Sequence, residues 1–199
     1  MFIVFEGIDG SGKTTLSKML FEFLQRRGIK SVLTREPFDE TLRKVVLEKD
    51  FDPWGETFLF LADRSYHVKN FVKPKLEEGF TVISDRYYLS TLAYQGFGRG
   101  LDIDLLKVLN EKATGGLKAD LTFVLDIPVE VALRRIEKSR GSTERFEKKH
   151  FLERVREGFL KLAEEEGALV LNGERNPYEL LGEVLKKIGL FLDKRGEKI

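Results

Sequence analysis

The sequence predicts an α/β fold in which five parallel strands form one sheet with helices on both faces. Three observations carry this prediction: five short, mainly apolar runs recur along the chain, each is continuous and does not alternate in polarity, and helix-patterned segments separate them. Runs without alternation are typical of strands buried on both faces of a parallel sheet. The 199 residues suffice for one domain with a sizeable core, so we predict a single domain over residues 1–199.

The individual helices and strands are predicted from the spacing of apolar residues and from residues that typically start or end helices. The predicted strands are residues 2–5, 31–33, 80–83, 121–125 and 168–171. The predicted helices are residues 15–27, 40–49, 53–77, 88–95, 102–114, 129–138, 147–166 and 177–192. The first helix has its apolar residues on one face, and the last begins with an N-cap, Asn176, followed by Pro177 at the first helical position.

Composition limits the classes of function. The net charge of +1 gives no global field that would attract nucleic acid, so we expect no nucleic-acid partner. The chain has no cysteine, and none of its apolar runs is long enough to span a bilayer. The first predicted strand begins at Phe2 and leaves no room for a signal peptide. We therefore expect a cytoplasmic protein without membrane contact.

A phosphate-binding motif connects the first strand to the first helix. Its residues, with the threonine that follows it, are Gly7, Ile8, Asp9, Gly10, Ser11, Gly12, Lys13, Thr14 and Thr15. Strand, glycine-rich loop and helix form the context in which this motif cradles phosphates with backbone N–H groups. We predict an ATP site here, with Lys13 at the β- and γ-phosphates and the Thr14 hydroxyl on Mg²⁺.

Charged residues follow two further strands at the edge where ligands of such sheets bind. Arg35 follows the second strand, and Asp85 and Arg86 follow the third. The carboxyl ends of parallel strands share one edge, so these side chains should lie beside the phosphate loop. Each also has a structural interpretation: Arg35 could form a surface pair with Glu36, and the Asp85–Arg86 pair could simply end a strand and cap a helix.

An arginine-rich stretch at about residues 139–147 is predicted to form a lid. It joins two helices through a short polar segment with glycine, and arginines stand on both sides of it. A mobile flap of this kind could deliver charge to phosphates and exclude water. The alternative interpretation is a solvated helix face with a turn.

Taken together, these residues resemble the thymidylate kinases of the bacterial type over essentially the whole chain. The matching segments are Phe5 to Thr15, Thr34-Arg35-Glu36-Pro37, Phe60-Leu61-Ala62-Asp63-Arg64 with His67, Asp85-Arg86-Tyr87, Ser90 to Gly96, Gly98-Arg99-Gly100, Asp120-Leu121-Thr122 and Leu125-Asp126. The resemblance implies a P-loop nucleoside monophosphate kinase-like fold with a short lid. It also implies transfer of phosphate from ATP to dTMP, with Mg²⁺, to give dTDP for the synthesis of dTTP and DNA.

The resemblance also implies roles for single residues. Asp9 would hold the 3′-hydroxyl of dTMP, Arg35 and Arg86 its phosphate, and Asp85 would lie near the metal. Phe60 would stack on thymine, Arg64 would hydrogen-bond the base, and Tyr94, close to the 2′ carbon, would disfavour ribose. The same resemblance implies that Ser90 and Gln95 bind substrate, that Lys13 is catalytic, and that the chain forms a homodimer. From the residues alone, the apolar cluster of Phe58, Leu59, Phe60 and Leu61 favours a core position for Phe60, and only the resemblance implies a binding role.

Some family members carry an arginine inside the phosphate loop, whereas others have glycine there and supply the arginine from the lid. Gly10 places this chain in the second group, so we expect Arg140 or Arg145 to reach the transferring phosphoryl group. The chain departs from the family at Phe38-Asp39-Glu40, where Gly-Gly-Thr is usual, at Tyr66, and at Glu144 of the lid.

Three other functions remain as alternatives at this point. A deoxynucleoside kinase would need a base to activate a free hydroxyl, and Arg35, suited to a monophosphate, argues against it. An adenylate or cytidylate kinase would differ only in the base pocket. A P-loop switch protein would be expected to carry an Asn-Lys-x-Asp segment, which the sequence lacks. Neither His67 nor His150 stands in a catalytic arrangement, so we expect both to be structural or at the surface.

Overall fold

The computed structural model describes residues 1–140 and 145–196 and contains the predicted five-stranded sheet. All neighbouring strands are parallel, and their spatial order is β2-β3-β1-β4-β5. The strands are β1 (Phe2–Glu6), β2 (Ser31–Arg35), β3 (Thr81–Asp85), β4 (Leu121–Asp126) and β5 (Leu169–Asn172). The predicted fold class is therefore confirmed.

Helices connect the strands. They are α1 (Lys13–Arg26), α2 (Glu40–Glu48), α3 (Pro53–His67), α4 (Lys73–Glu77), α5 (Tyr88–Thr91), α6 (Ile103–Thr114), α7 (Val129–Arg140), α8 (Arg145–Glu166) and α9 (Pro177–Arg195). Two predicted helices are not uniform, because a π-helical segment, Val68–Val72, joins α3 to α4 and another, Leu92–Gly98, continues α5. Such wide turns inside helices are frequent at functional sites and give no signal in apolar periodicity.

Strands β2 and β3 each end two residues later than predicted, and this changes how two site residues are held. Arg35 and Asp85 are the last residues of β2 and β3 and lie opposite each other in the parallel register, not in the loops beyond. The pairing continues one step further, since the Glu36 N–H donates to the Asp85 carbonyl at 3.1 Å. The backbone of both residues is thus fixed by strand pairing, which polarity alone did not predict.

The core consists of the central strand and a layer of helices on each side of it. All five residues of β1 are buried. On one side, Leu16 and Leu20 of α1 pack in one apolar cluster with Ile188 of α9. On the other side, Leu92 belongs to a second cluster with Val155 of α8. The helices cover the two faces of the sheet, and the loops at the carboxyl ends of β1, β2 and β3 line the cavities described below.

The lid predicted at about residues 139–147 lies largely outside the described residues. Helix α7 ends at Arg140 and α8 begins at Arg145, and the side chains of both arginines are outside the described part of the structure. The flanking helices are slightly longer than the predicted 129–138 and 147–166. Among the residues that are described, no helix combines the length and the apolar character needed to cross a membrane.

Candidate active site

The phosphate loop follows β1 and leads directly into α1. Gly7 has a φ of 138°, and a Cβ there would lie 2.5 Å from the Leu125 carbonyl oxygen, so β4 forces glycine at this position. The turn is closed by the Ser11 N–H, which donates to the Ile8 carbonyl at 3.1 Å. Within residues 1–140 and 145–196, no side chain caps α1, whose cap residue is Gly12. The N–H groups of its first turn therefore remain available to an anion.

A first cavity of about 790 Å³ opens over this loop. Seven of the nine residues predicted to bind ATP line it, namely Asp9, Gly10, Ser11, Gly12, Lys13, Thr14 and Thr15. Gly7 and Ile8 do not line it, because both are buried beneath the loop. Arg135 of α7 also lines the cavity and donates to the carbonyls of Gly10 at 3.2 Å and Gly173 at 3.1 Å.

A second cavity of about 500 Å³ lies beside the first. All eight residues predicted to bind the second substrate line it: Asp9, Arg35, Phe60, Arg64, Arg86, Ser90, Tyr94 and Gln95. Asp9, Lys13 and Thr14 line both cavities. Two bound molecules would therefore meet at these three residues.

Arg86 is held from several sides at the floor of the second cavity. One guanidinium nitrogen, Nη1, donates to the Ser90 hydroxyl at 3.0 Å, and the other, Nη2, contacts the Asp9 carboxylate. The guanidinium carbon lies 5.2 Å from the centre of the Tyr94 ring. The Tyr94 hydroxyl in turn accepts the Asp9 N–H at 3.0 Å. Arg86, Asp9 and Tyr94 thus form one connected group at the junction of the two cavities.

Thr14 and Asp85 meet at the same junction. The Thr14 hydroxyl donates to Oδ2 of Asp85 at 2.5 Å, whereas the buried Oδ1 of Asp85 has no hydrogen-bond partner among the residues that the structure describes. An unsatisfied buried carboxylate oxygen is costly unless a cation or water completes it. Hydroxyl and carboxylate oxygens are the ligands that Mg²⁺ prefers, so this pair fits such an ion. Within the described residues no group of three or more His, Cys, Asp or Glu forms a protein-only metal site.

Lys13 is buried beneath the phosphate loop. Its Nζ donates to the Ile8 carbonyl at 3.1 Å and lies 3.8 Å from an oxygen of Asp9. Burial, aided by the charge of Arg86, lowers the pKa of Lys13 to about 8, although Asp9 and Asp85 oppose this shift. The negative charges around the ammonium group thus compensate only partly for its burial, and a bound phosphate would add to them.

The far end of the second cavity is built around a buried ion pair. Arg64 uses all five of its N–H groups on protein acceptors: two on Glu36 at 2.8 and 2.6 Å, and one each on Thr91, Asn110 and the Tyr87 carbonyl. Burial raises the pKa of Glu36, but Arg64 and His67 outweigh burial and hold it below its ordinary value. The pair is thus ionised at neutral pH. Phe60, half-buried, lines the cavity nearby.

His67 belongs to this same network and has a structural position. Its Nδ1 donates to Glu36 at 3.0 Å, and its Nε2 is hydrogen-bonded to the Thr34 hydroxyl at 2.9 Å. The ring stacks on Phe38 with centroids 4.4 Å apart. Phe38 is the first residue of the unusual segment after Pro37, so this departure from the family is accommodated by packing. His150, by contrast, is exposed.

Several cavity residues were not singled out from the sequence. They are Glu36, Arg43, Glu56 and Thr91 in the second cavity and Arg135 in the first. Glu56 accepts a hydrogen bond from the Gln95 amide at 3.0 Å and so orients a predicted substrate residue. Arg43 and Glu56 lie on helices whose periodicity indicates which face is apolar, but not which polar residue reaches a site. No local pattern could have distinguished them.

The comparisons with known proteins agree with this arrangement. A family model described as Thymidylate kinase matches residues 5–184. The chain is 44% identical to a thymidylate kinase of Carboxydothermus hydrogenoformans, covering 92% of this chain and 94% of the relative. It is 43% identical to one of Desulfovibrio desulfuricans, covering 98% of each. The crystal structure of thymidylate kinase from Ehrlichia chaffeensis superposes with a TM-score of 0.79 at 34% identity, covering 94% of this chain and 98% of that one. With a match of this extent and the phosphate loop in place, the chain belongs to the thymidylate kinase family.

Proposed function

We propose that this chain transfers the terminal phosphoryl group of ATP to the phosphate of dTMP, giving ADP and dTDP. One observation carries the proposal: the cavity over the phosphate loop and the cavity lined by Arg35 and Arg86 share Asp9, Lys13 and Thr14. A nucleotide in each cavity would bring its phosphates to the same three residues. This is the arrangement that in-line transfer between two phosphates requires.

The residues at the junction suit a reaction limited by charge. The attacking group is an oxygen of the dTMP phosphate, whose second pKa is about 6, so it is already anionic at neutral pH. No general base is needed. We propose that Arg35 and Arg86 bind the acceptor phosphate and that Lys13 binds the donor phosphates. Their positive charges offset the repulsion between the two anions as they are brought together.

We propose that Thr14 and Asp85 hold Mg²⁺. The hydrogen bond between them and the unpartnered Oδ1 of Asp85 support this assignment. A bound Mg²⁺ would neutralise charge on the transferring phosphates. With only two protein ligands, the rest of the coordination sphere would come from phosphate oxygens and water, which is usual for this ion.

The nucleoside of dTMP would occupy the remainder of the second cavity. We propose that Phe60 stacks on the thymine ring and that Tyr94, fixed through Asp9, lies against the sugar and disfavours a ribose hydroxyl. Arg64 binds the base under this proposal only by sharing or exchanging one of its five N–H groups. Thr91, which accepts from Arg64 at 2.8 Å and lines the cavity, is the adjacent polar group.

The test is ADP production from ATP with Mg²⁺ and a panel of acceptors: dTMP, dUMP, UMP, CMP, AMP and thymidine. We expect strong turnover with dTMP, weak turnover with dUMP, and none with the ribonucleotides or thymidine. Chelation of Mg²⁺ with EDTA should abolish turnover, and adding back excess Mg²⁺ should restore it. Preference for another monophosphate would keep the mechanism but reject the proposed base pocket. An absence of turnover that depends on any acceptor would overturn the proposed function.

Replacing Lys13 with methionine should separate activity from stability. We expect kcat to fall by about 10²-fold because a donor to the transferring phosphates is lost. The melting temperature at pH 7 should not fall, because the folded chain no longer buries an ammonium group whose pKa is depressed to about 8. In the wild type, stability should rise between pH 8 and the ordinary pKa of lysine, since the unfolded chain binds the extra proton there.

Lys18→Met is the matched control for this substitution. Lys18 lies on the same helix, but its side chain is 68% exposed and forms an ion pair with Glu22 at 4.0 Å. It should retain wild-type kcat. Steady-state kinetics measures kcat of both variants, and differential scanning calorimetry measures their melting temperatures. A large fall in melting temperature for Lys13→Met, in step with the loss of activity, would show that the lysine acts on folding instead.

We also propose that the protein is a cytoplasmic homodimer. The dimer is supported by large exposed apolar side chains, Phe58 on α3 (56% exposed) and Val108 on α6 (53% exposed). Exposed apolar residues on adjoining helices suit a protein interface. Light scattering of the purified protein tests the dimer, and a monomer mass would reject it. The cytoplasmic location is supported by the proposed consumption of ATP, and fractionation of the source cells tests it.

A further inference from the structure

Glu6 is a buried acidic residue that the mechanism above does not use. It is the last residue of β1, after four apolar residues, and its exposed fraction is 0%. Burial raises the pKa of Glu6 to about 7, and the opposing effects of Ser90 and Arg86 offset this only in part. Placing a carboxylate here costs folding free energy, so a compensating use of the group is expected.

The carboxylate of Glu6 holds the start of α5. Its Oε1 accepts the N–H of Tyr87 at 2.8 Å and the N–H of Ser90 at 3.2 Å. Its Oε2 accepts the Ser90 hydroxyl at 2.6 Å. Tyr87, the cap residue of α5, has no side-chain cap of its own. A side chain from the central strand therefore performs the capping that the local sequence does not provide.

Arg86 lies directly before this capped turn. Among residues 1–140 and 145–196, it is the one non-glycine residue with φ in the left-handed region, at 81°. Such a conformation is unfavourable for a residue with a side chain and persists only where surrounding contacts impose it. The Arg86 N–H donates to the Phe5 carbonyl at 2.9 Å, and its carbonyl accepts the Ser84 hydroxyl at 2.7 Å. The next N–H along the chain, that of Tyr87, is the one bound by Glu6.

Glu6 is also linked to the guanidinium end of Arg86, through the Ser90 hydroxyl. Ser90, whose hydroxyl donates to Glu6, accepts the Nη1 hydrogen bond of Arg86 at 3.0 Å. One carboxylate thus fixes both the backbone that follows Arg86 and the side chain that supports its guanidinium group. We propose that Glu6 is a positioning residue, which sets the direction of the Arg86 guanidinium before the acceptor phosphate arrives. This inference rests on the proposed function, in which Arg86 binds the phosphate of dTMP.

The charge of Glu6 predicts how a glutamine substitution affects stability. The pKa of about 7 in the folded chain exceeds the ordinary 4.5, so the folded state binds more protons between these values. Stability therefore falls as the pH rises through this window, and the ionised carboxylate is a cost at pH 8. Glu6→Gln removes that cost, and its amide oxygen can still accept the N–H groups of Tyr87 and Ser90. We expect a melting temperature at pH 8 no lower than that of the wild type.

The test is Glu6→Gln at pH 8, with KM for both substrates, kcat, and calorimetric Kd values for dTMP and ATP measured separately. We expect the KM and Kd for dTMP to rise about 10-fold, as one charge-assisted hydrogen bond would predict, and those for ATP to stay unchanged. Loss of the negative charge alone would tighten dTMP binding, because the Glu6 carboxylate would no longer compete with the phosphate for Arg86. Weaker binding of dTMP would therefore show that Glu6 acts by positioning the Arg86 guanidinium and not through its charge.

Two further variants complete the design. Asp120→Asn is the matched control: Asp120 also accepts a backbone N–H of β1, that of Phe2 at 2.7 Å, but at the opposite end of the strand. It should leave both Kd values unchanged. Ser90→Ala should weaken dTMP binding, and the double variant with Glu6→Gln should be less impaired than the product of the two single effects, because both act on the same path.

The outcomes separate this inference from the proposed function. A wild type that phosphorylates no monophosphate marks the failure of the proposed function, and the inference falls with it. A wild type active on dTMP, with Glu6→Gln binding dTMP equally well or more tightly, overturns the inference alone. Equal weakening for ATP and dTMP, or a lowered melting temperature at pH 8, would assign Glu6 a general structural role and would also overturn it.

Discussion

Replacing Arg86 with alanine is expected to lower kcat/KM for dTMP by about 10³-fold. The side chain stands at the junction of the two cavities, 19% exposed, and is held by Ser90, Asp9 and the Tyr94 ring. A preorganised cation at developing negative charge is commonly worth about 10²–10³ in rate, and Arg86 would also lose its share of dTMP binding. Because Arg86 serves the acceptor, we expect the KM for ATP to change little.

Two variants control the Arg86 experiment. Arg86→Lys keeps the charge but loses the planar two-nitrogen fork that now joins Ser90 and Asp9, so intermediate activity is expected. Arg27→Ala removes an arginine that packs over the Phe23 ring, just beyond the C-terminal end of α1, and it should leave kcat/KM unchanged. If Arg86→Ala stays within threefold of the wild type, Arg86 does not bind the acceptor phosphate.

Substitution of one lid arginine is expected to lower kcat by about 10³-fold or more, the range seen for arginines that contact a transferring phosphoryl group. The phosphate loop cannot supply this arginine. A Cβ at Gly10 would lie 2.7 Å from the Ala132 carbonyl oxygen, and φ there is 81°. Helix α7 lines the phosphate-loop cavity with Arg135 and Ile136 and continues to Arg140. The predicted lid therefore follows a helix that lines the donor cavity.

The lid experiment compares Arg140→Ala and Arg145→Ala one at a time, measuring kcat and both KM values. We expect the contacting arginine to lose kcat with a much smaller change in the KM for dTMP, since its contact forms mainly in the transition state. Arg134→Ala is the matched control, because Arg134 is exposed on the same helix and should leave kcat unchanged. If both Arg140→Ala and Arg145→Ala keep near-normal kcat, the lid does not provide the arginine.

The order of strands and helices and the place of the phosphate loop could be predicted because both are local signals. An unbroken apolar run such as residues 2–5 indicates a buried strand, and the spacing of Gly7, Gly12 and Lys13 indicates a phosphate loop when a strand precedes it and a helix follows it. Residues at the carboxyl ends of parallel strands must share one edge, which is why Arg35, Asp85 and Arg86 could be placed near each other. The π-helical winding at Leu92–Gly98 could not be predicted, because apolar periodicity carries no signal for it; the segment packs against α8, which is distant along the chain.

The hydrogen-bond partners of Arg64 and Glu6 could not be predicted from local sequence patterns. The family resemblance implies that Arg64 hydrogen-bonds the base, but the structure shows all five of its N–H groups engaged with Glu36, Thr91, Asn110 and Tyr87. These partners lie between 23 and 46 positions away along the chain. For Glu6, the acidic residue itself was visible in the sequence, but its partner Ser90 lies 84 positions away.

The sequence by itself determined the fold class, the phosphate loop and the family resemblance, because each rests on residue types at short, fixed spacing. The tertiary structure decided that Asp9, Lys13 and Thr14 are common to two cavities, that Asp85 keeps an unpartnered oxygen beside Thr14, and that Glu6 supports Arg86. The physical reason is that hydrogen bonds and charges act over a few ångströms in space. Pairing of β1 with β3 and β4 brings together residues that the chain itself keeps far apart.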